Sequence, residues 1–423
     1  MKFTRDIIIW CACLALLCFA QPLRAENWPQ WRGAKLDGIS HETNLPQQWS
    51  KTENVAWRLP LPGPAGSTPV IWGDRIFLTS AEGQKLVLLA VSTSGKILWK
   101  QTLSDKNAQV RGDEGNYASP SPSTDGRHVW ATVGTGELGC YMLDGRKVWS
   151  FNLQDRYGKF DISFGMTSTP VLDGDRLYFQ LMHSGGALVL ALDKNSGKEI
   201  WKQQRPSDAR EECEHSYASP VLYRDDRQEL LLSHGADYIV AHRLTDGGEV
   251  WRCGGLNLKG NYNPTLRFVA SPVAVPGLIV VPSAKNGPVL GLKPDNKGDI
   301  TDSEEGRFWA REHNTPDVPS PLVVNGLVYL CREDGTLLCL DAKTGKQVYQ
   351  NRTHADRHRA SPVYADGRVY LTARDGTVTV VKAGRKFEIL FSNKIGESVS
   401  SSPAISNGRM YVRTFDALYA IGR

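Results

Sequence analysis

Residues 320–349 read SPLVVNGLVYLCREDGTLLCLDAKTGKQVY. Three turn pairs, Asn325-Gly326, Asp334-Gly335 and Thr344-Gly345, divide this stretch into four short segments of apolar or alternating character. Asn-Gly and Asp-Gly pairs provide the positive φ angles that tight hairpins need. The last segment ends on an aromatic residue, Tyr349. The stretch therefore predicts one antiparallel sheet of four short strands.

The same pattern recurs along the chain, and each copy opens with a small or Pro residue, then Ser or Thr, then Pro. The eight copies are Ser67-Thr68-Pro69, Ala118-Ser119-Pro120, Ser168-Thr169-Pro170, Ala218-Ser219-Pro220, Ala270-Ser271-Pro272, Pro319-Ser320-Pro321, Ala360-Ser361-Pro362 and Ser401-Ser402-Pro403. Their prolines are 41 to 52 residues apart. Four-stranded repeats of this length are typical of propeller blades. We therefore predict an all-β fold, an eight-bladed β-propeller of four-stranded blades.

An aromatic residue ends the last strand of most repeats. These residues are Trp99, Trp149, Trp201, Trp251, Trp309, Tyr349 and Phe391. A large ring at one position of every blade can pack against the next blade. A ligand-binding cage would need the ring in one blade only. We therefore expect these aromatic residues to be structural.

The two ends of the repeat region complement each other. The eighth copy stops at Arg423 after three predicted strands, near 402–406, 409–414 and 417–421. The segment Asn54-Val55-Ala56-Trp57-Arg58 precedes the first copy and resembles a missing fourth strand with its aromatic residue. We predict that this N-terminal strand completes the eighth blade, because ring closure removes the exposed edges of an open sheet.

The first residues have the pattern of a secretory signal. Lys2 and Arg5 precede an apolar run from Ile7 to Ala20, and Leu23-Arg24-Ala25 ends on a small residue. The run is shorter than the ~20 apolar residues that a membrane span needs. We predict a signal peptide (1–25), an N-terminal extension (26–53) and a propeller (54–423). Leu17 before Cys18 fits a lipoprotein signal poorly, so we do not expect a lipid anchor.

Charge and cysteine content exclude several classes of protein. The formal charge is +5, and +3 remains without the first 25 residues, spread evenly along the chain, so we expect no nucleic acid partner.

Five cysteines follow the signal: Cys140, Cys213, Cys253, Cys331 and Cys339. A two-residue hairpin at Asp334-Gly335 would put the last two on opposite faces, whereas a bulged turn would bring them together. We predict no disulfide and a monomer.

The combination of Ser-Pro, Gly-Asp-Arg, Leu-Asp, Ser-Gly-Lys and Trp resembles the pyrroloquinoline-quinone (PQQ) repeat over residues 54–423. Examples of these elements are Gly73-Asp74-Arg75, Leu192-Asp193 and Ser196-Gly197-Lys198. This repeat forms the quinoprotein alcohol dehydrogenases and also the non-enzymatic BamB-like outer-membrane assembly proteins. The opening Trp28-Pro29-Gln30-Trp31-Arg32-Gly33 is similar to that of many exported propellers of this class. We expect it to lie across the outside of the ring.

The resemblance implies two alternative functions. Quinoprotein dehydrogenases hold their cofactor with an adjacent Cys pair, a Trp and Ca²⁺ bound by carboxylate and amide oxygens, and this sequence has no Cys-Cys. It also lacks the Cys-x-x-Cys-His motif of a haem. We therefore expect no cofactor and a non-catalytic exported propeller that binds a partner protein in the periplasm or cell envelope. A quinone- or metal-dependent oxidoreductase is the alternative.

In propellers, the loops that precede the innermost strands surround one mouth of the central channel, and loops on a rigid scaffold commonly bind ligands. These loops directly precede each Ser-Pro. The candidate binding residues that they supply are Tyr117, His215, Tyr217, Arg267, His358 and Arg359. Aromatic residues such as Tyr117, Tyr217 and Phe268 suggest a further alternative, a carbohydrate-binding propeller.

Two polar clusters in these loops contain residues that can bind metals. They are His354-Ala355-Asp356-Arg357-His358 and Glu212-Cys213-Glu214-His215. Neither has the spacing of a recognised metal motif. We therefore interpret both as solvated polar loops and predict no metal site. The sequence also contains no serine-hydrolase, phosphate-loop or zinc-protease motif, so we assign no catalytic residues.

Overall fold

The computed structural model describes residues 26–108, 110 and 116–422. The predicted signal peptide, residues 1–25, lies outside this range, as does most of the mouth loop 111–117. The described residues form eight antiparallel sheets of four strands each, and a short parallel strand extends the fourth sheet. The predicted eight-bladed β-propeller is therefore confirmed.

The strands of the first four blades, each from its innermost to its outermost strand, follow the chain. Blade 1 contains β2 (Val70–Trp72), β3 (Arg75–Glu82), β4 (Lys85–Ser92) and β5 (Ile97–Ser104), and blade 2 contains β6 (Ser123–Thr124), β7 (His128–Thr132), β8 (Glu137–Met142) and β9 (Lys147–Asn152). Blade 3 contains β10 (Val171–Asp173), β11 (Arg176–His183), β12 (Gly186–Asp193) and β13 (Glu199–Gln204). Blade 4 contains β14 (Val221–Arg224), β15 (Glu229–Gly235), β16 (Tyr238–Arg243) and β17 (Glu249–Cys253), with β21 (Gly298–Asp299) parallel to β17.

The remaining blades follow the same order until the last one. Blade 5 contains β18 (Val273–Val275), β19 (Leu278–Pro282), β20 (Val289–Leu292) and β22 (Arg307–Arg311), and blade 6 contains β23 (Leu322–Val324), β24 (Leu327–Cys331), β25 (Thr336–Asp341) and β26 (Gln347–Arg352). Blade 7 contains β27 (Val363–Ala365), β28 (Arg368–Thr372), β29 (Thr377–Lys382) and β30 (Ile389–Lys394). Blade 8 contains β31 (Ala404–Ser406), β32 (Arg409–Arg413), β33 (Ala417–Ile421) and, outermost, β1 (Val55–Pro60), which pairs antiparallel with β33.

Helices are short and lie in the connections. The α-helix α1 spans Leu153–Tyr157, and 3₁₀ turns span Glu211–Glu214 and Lys259–Asn261. Asn152 caps α1, because its side chain accepts a hydrogen bond from the backbone N–H of Gln154. None of the helices among the described residues is long and apolar enough to cross a membrane.

Tryptophan indoles join six of the eight blades to the next blade. The Nε1–H group of Trp201, for example, donates to the carbonyl oxygen of Leu244 in the next blade at 3.0 Å. Five further pairs have the same geometry, from Trp57 to Thr93, Trp99 to Leu143, Trp149 to Lys194, Trp251 to Pro294 and Trp309 to Ala342. The recurring aromatic residue therefore has a structural role between blades.

The second repeat has a different register from the one that the sequence suggested. Strand β6 begins directly after Pro122, as β2 begins after Pro69, so Ser121-Pro122 is the structural equivalent of Thr68-Pro69. The predicted Ser119-Pro120 lies two residues earlier. Two Ser-Pro pairs in tandem are locally indistinguishable, and only the packing between blades selects the second.

The turn between β24 and β25 also differs from the two-residue hairpin. Arg332 N–H donates to the carbonyl oxygen of Thr336, which makes a longer turn, and Cys331 and Cys339 consequently lie in one buried cluster rather than on opposite faces. Cys339 is opposite Tyr329 in the ladder, diagonal to Cys331. All five described cysteines are free and buried.

The extension before β1 crosses the propeller at one end of the central channel. Pro29 O accepts from Thr124 N in blade 2, the side chain of Gln30 donates to Leu172 O in blade 3, and Arg32 Nη2 donates to Pro321 O in blade 6 at 2.8 Å. The expectation that this segment lies across the outside of the ring was wrong. The side chains of Gln30 and Arg32 bind backbone carbonyls of inner strands on two sides of the ring, so this segment covers one end of the channel.

Candidate functional site

A ring of hydroxyl groups surrounds the central channel. In seven consecutive steps, the backbone N–H of the residue before Pro donates to the side-chain hydroxyl oxygen of the equivalent residue in the next blade, at 2.9–3.1 Å. The eight residues of this hydroxyl ring are Thr68, Ser121, Thr169, Ser219, Ser271, Ser320, Ser361 and Ser402. The Ser or Thr of the repeat therefore connects the blades and lines the channel.

The channel contains a cavity of about 240 Å³ that the extension covers at one end. Trp31 of the extension contributes to the lining at that end, and the hydroxyl ring forms the wall. The opposite end is the mouth, formed by the loops that precede each inner strand. Phe164, Tyr217, Arg267 and Arg359 line the cavity there. A cavity with a few convergent polar groups is the usual form of a binding site.

Aromatic and cationic side chains are arranged in contact at the mouth. The guanidinium carbon of Arg267 lies 5.1 Å from the ring centroid of Phe164, and the rings of Phe164 and Tyr217 are 5.7 Å apart. Arg267 Nη1 lies 3.4 Å from Glu212 Oε2. On another blade, Arg359 Nη2 lies 3.1 Å from Glu333 Oε1. These acidic partners hold the two guanidinium groups in defined positions at the rim.

The structure brings together three of the six residues that the sequence nominated: Tyr217, Arg267 and Arg359. Tyr117 is not part of the cavity lining, because its ring packs over Gly165, where an added Cβ would lie 2.5 Å from the tyrosine ring. Its backbone carbonyl accepts from Gly134 N–H at 2.7 Å. Tyr117 therefore packs against the neighbouring mouth loop at Gly165 and is not part of the cavity lining.

The two histidines are also outside the cavity lining. His215 is buried, and its Nε2 lies 3.0 Å from Ser184 Oγ. His358 has no exposed surface, and its Nδ1 lies 2.9 Å from the carbonyl oxygen of Asp356. Burial lowers the pKa of both imidazoles, so both are neutral at pH 7. In each case the loop folds back onto the blade and covers the side chain.

The channel lining does not fit the calcium and quinone site of a quinoprotein dehydrogenase. Calcium takes six to eight oxygen ligands, usually with carboxylates among them. None of the described residues that line the cavity is Asp, Glu or Cys. The described cysteines are all buried. The residues present are mainly hydroxyl donors, apolar groups and two arginines.

Sequence reasoning missed the hydroxyl ring and Trp31 as parts of the site. The repeated Ser or Thr before Pro was visible in the sequence, and its interpretation as a channel-lining group needed only the blade geometry. Trp31 had no comparable signal, because nothing local indicates where the extension crosses the ring.

The family model described as outer membrane protein assembly factor BamB matches residues 134–305 and 296–386, more than half of the chain. No curated protein sequence matches the chain. The structure of BamB from Moraxella catarrhalis is 17% identical, with a TM-score of 0.61, over 87% of this chain and 97% of that one.

Two dehydrogenase structures are also similar to this chain. Quinohemoprotein alcohol dehydrogenase from Comamonas testosteroni is 13% identical, with a TM-score of 0.69, over 94% of this chain and 81% of that one. A europium-containing methanol dehydrogenase is 12% identical, with a TM-score of 0.70, over 93% of this chain and 90% of that one. At these identities the likeness to solved structures shows the fold alone.

Proposed function

Because this chain belongs to the family described as outer membrane protein assembly factor BamB, we propose that it is an exported, non-catalytic β-propeller that binds a partner protein in the periplasm or cell envelope. The proposed binding face is the channel mouth. The proposed export rests on the pattern of residues 1–25, which has the charged, apolar and small-residue parts of a secretory signal.

The observation that supports this proposal most directly is the charge distribution at the mouth. Arg267 and Arg359 lie at the rim of the channel, each beside one carboxylate, Glu212 or Glu333, and the described residues that line the cavity itself carry no negative charge. The hydroxyl ring adds hydrogen-bond donors below them. Arginine is enriched at protein interfaces and pairs bidentately with carboxylates. The mouth therefore fits an acidic segment of a partner protein.

Charge reversal at the mouth tests this assignment. Arg267→Glu and Arg359→Glu, singly and together, are compared with wild type in chemical crosslinking of intact envelopes, with quantification of each crosslinked protein. We expect one or more partners to be lost from both variants and retained by Arg227→Glu. Arg227 is the matched control, because its side chain is 70% exposed and lies in the turn between β14 and β15, away from the mouth. Equal crosslinking by all variants would remove the mouth as the partner site.

Calorimetric titration with PQQ, with and without Ca²⁺, separates this function from the quinoprotein alternative. We expect no binding, since the described lining offers no carboxylate for the cation. Tight binding that depends on Ca²⁺ would contradict a non-catalytic role and would direct the next assays to dye-linked alcohol oxidation.

The carbohydrate-binding alternative has little structural support. Sugar-binding sites use exposed faces of aromatic rings, and Phe268 is fully buried while Tyr217 is 9% exposed and packed against Phe164. The Phe268 ring is inside the protein, and little of the Tyr217 ring is exposed to the cavity. A glycan array probed with wild type and with Tyr217→Ala checks this directly, and we expect no glycan signal from either protein.

A further inference from the structure

A backbone pairing in blade 7 brings two distant acidic residues opposite each other. His358 forms an isolated antiparallel bridge with Ala373, and Arg374 N–H donates to the carbonyl oxygen of Arg357 at 2.6 Å. One step further in this antiparallel register, Asp356 is opposite Asp375. The mouth loop 353–358 and the hairpin turn between β28 and β29 are therefore joined at a fixed register.

His354 lies in the same place. Its Nε2 is 3.1 Å from Asp375 Oδ2, and the ligand atoms of His354, Asp356 and Asp375 all lie within 4.8 Å of one another. All three side chains are partly exposed, so a cation can reach them from solvent. Zinc bound tetrahedrally at its usual bond lengths keeps neighbouring ligand atoms about 3.3 Å apart. Small side-chain rotations would bring the three groups to that separation.

Both carboxylates are oriented by hydrogen bonds from the backbone. Thr377 N–H donates to Asp375 Oδ1 at 2.9 Å, and the Thr377 hydroxyl donates to Asp375 Oδ2 at 3.0 Å. Arg357 N–H donates to Asp356 Oδ1 at 2.5 Å. Outer hydrogen bonds of this kind orient the ligands of protein metal sites. The carboxylates are thus held in place before any cation binds.

A fully buried imidazole adjoins this cluster and has an unused lone pair. His358 Nδ1 lies 2.9 Å from the carbonyl oxygen of Asp356, so Nδ1 carries the proton of the neutral ring. Nε2 has no hydrogen-bond partner among the described residues and is closed to solvent. This observation is independent of the three ligands. The cluster of His354, Asp356 and Asp375 and the adjoining His358 therefore contain more hydrogen-bond acceptor atoms than the described donors there satisfy.

We propose that His354, Asp356 and Asp375 form a binding site for a first-row divalent cation such as Zn²⁺, with water completing the coordination. An imidazole nitrogen with two carboxylates suits this class of metal better than it suits Ca²⁺, which prefers oxygen ligands alone. Lys394 competes with the cation, because its Nζ lies 3.8 Å from Asp375 Oδ2. Its side chain is 68% exposed and can move away.

The test is a calorimetric titration of metal-free, tag-free mature protein with Zn²⁺, repeated with Co²⁺ and read by its visible absorption. We expect one equivalent to bind to wild type, with affinity at least ~10-fold lower in His354→Gln and Asp375→Asn, since each replaces an imidazole or carboxylate ligand with a neutral amide, which binds Zn²⁺ more weakly. Lys394→Gln should bind more tightly than wild type. Excess Ca²⁺ should not displace the bound Co²⁺.

His313→Gln is the control for adventitious binding by a surface histidine, because the His313 side chain is 66% exposed. It should bind Zn²⁺ as wild type does. Failure of wild type to bind Zn²⁺, or equal affinity in wild type and His354→Gln, would overturn the proposal. If Asp375→Asn does not fold, His354→Gln decides alone, since the His354 side chain is 30% exposed and its replacement leaves the turn intact. The Co²⁺ spectrum adds a readout, because loss of a nitrogen ligand shifts its bands.

Discussion

Arg58 Nη2 lies 3.0 Å from Glu397 Oε1, which ties the N-terminal strand β1 to the loop that precedes β31 of the same blade. The two residues are 339 positions apart in the chain. Tyr419 donates its hydroxyl to the same Glu397 oxygen at 2.7 Å, and the Thr414 hydroxyl donates to the other at 2.7 Å. The buried carboxylate therefore joins both ends of the chain in the eighth blade.

Replacement of Glu397 by Ala should lower the free energy of unfolding by about 3 kcal/mol, because the loss of one partner from a buried ion pair leaves the other groups without compensation. We expect the low end of the usual loss for breaking a buried ion pair, about 3–5 kcal/mol, because the Arg58 side chain is 35% exposed. Urea denaturation measures the change. Glu388→Ala, which removes an exposed ion pair to Lys382, is the control and should change stability by less than about 0.5 kcal/mol.

The contribution of Glu397 should depend on pH. Burial acts to raise the pKa of this carboxyl, but hydrogen bonds from Tyr419, Thr414 and Arg58 together outweigh burial and hold the pKa below its ordinary value of 4.5. The stabilisation is therefore complete above pH 4.5 and is lost as the pH falls through the lowered pKa. Melting temperatures of wild type and Glu397→Gln should differ at pH 7 and converge in acid. A constant difference from pH 7 to pH 3 would contradict this sign.

The repeat in the sequence was sufficient to predict the blades, because most blades repeat similar turn pairs and end on an aromatic residue. Trp201 and Trp309 show why: each has the same contact with the carbonyl oxygen of the next blade. At these positions the residue that repeats in the sequence is the residue that makes the repeated contact between blades. The orphan segment around Trp57 could be identified by the same comparison, and in the structure it pairs with β33.

The site was less predictable, since its parts depend on contacts between segments without any periodic signal. Ser121 rather than Ser119 belongs to the hydroxyl ring because its hydroxyl meets Thr68 N–H in the neighbouring blade. Asp375 was not recognised as a partner of His354, because the two are 21 residues apart and meet only through the pairing of a loop with a turn. His358 was expected at the surface, but the loop covers it.

Trp201→Ala should destabilise the protein by about 3–5 kcal/mol, as large-to-small changes in a packed interior do. Trp201 is 8% exposed, packs over Gly247 of the next blade and donates to Leu244 O. Trp201→Phe retains much of the packing and loses the hydrogen bond, so we expect about 1–2 kcal/mol. Chemical denaturation of the two variants checks the order. A loss of less than 1 kcal/mol for the alanine variant would exclude a stabilising contact between blades.

His358→Ala should lower stability by about 2 kcal/mol, since the side chain is fully buried and bonded to the backbone of Asp356. A surface loop residue would change stability by less than about 0.5 kcal/mol. His313→Ala provides that comparison within the same chain, because its side chain is 66% exposed. Equal melting of the two variants would place His358 at the surface, against the structure.

Ser271→Ala should destabilise the ring of blades by about 1–3 kcal/mol, because it leaves a buried backbone N–H without an acceptor. That N–H belongs to Ser219, which donates to Ser271 Oγ at 2.9 Å. Ser271→Thr is the matched control: it keeps the hydroxyl, and threonine already occupies equivalent positions at Thr68 and Thr169. We therefore expect the threonine variant to melt close to wild type and the alanine variant well below it. If both variants lose the same stability, the side-chain volume at this position, rather than the hydrogen bond between blades, holds the channel wall together.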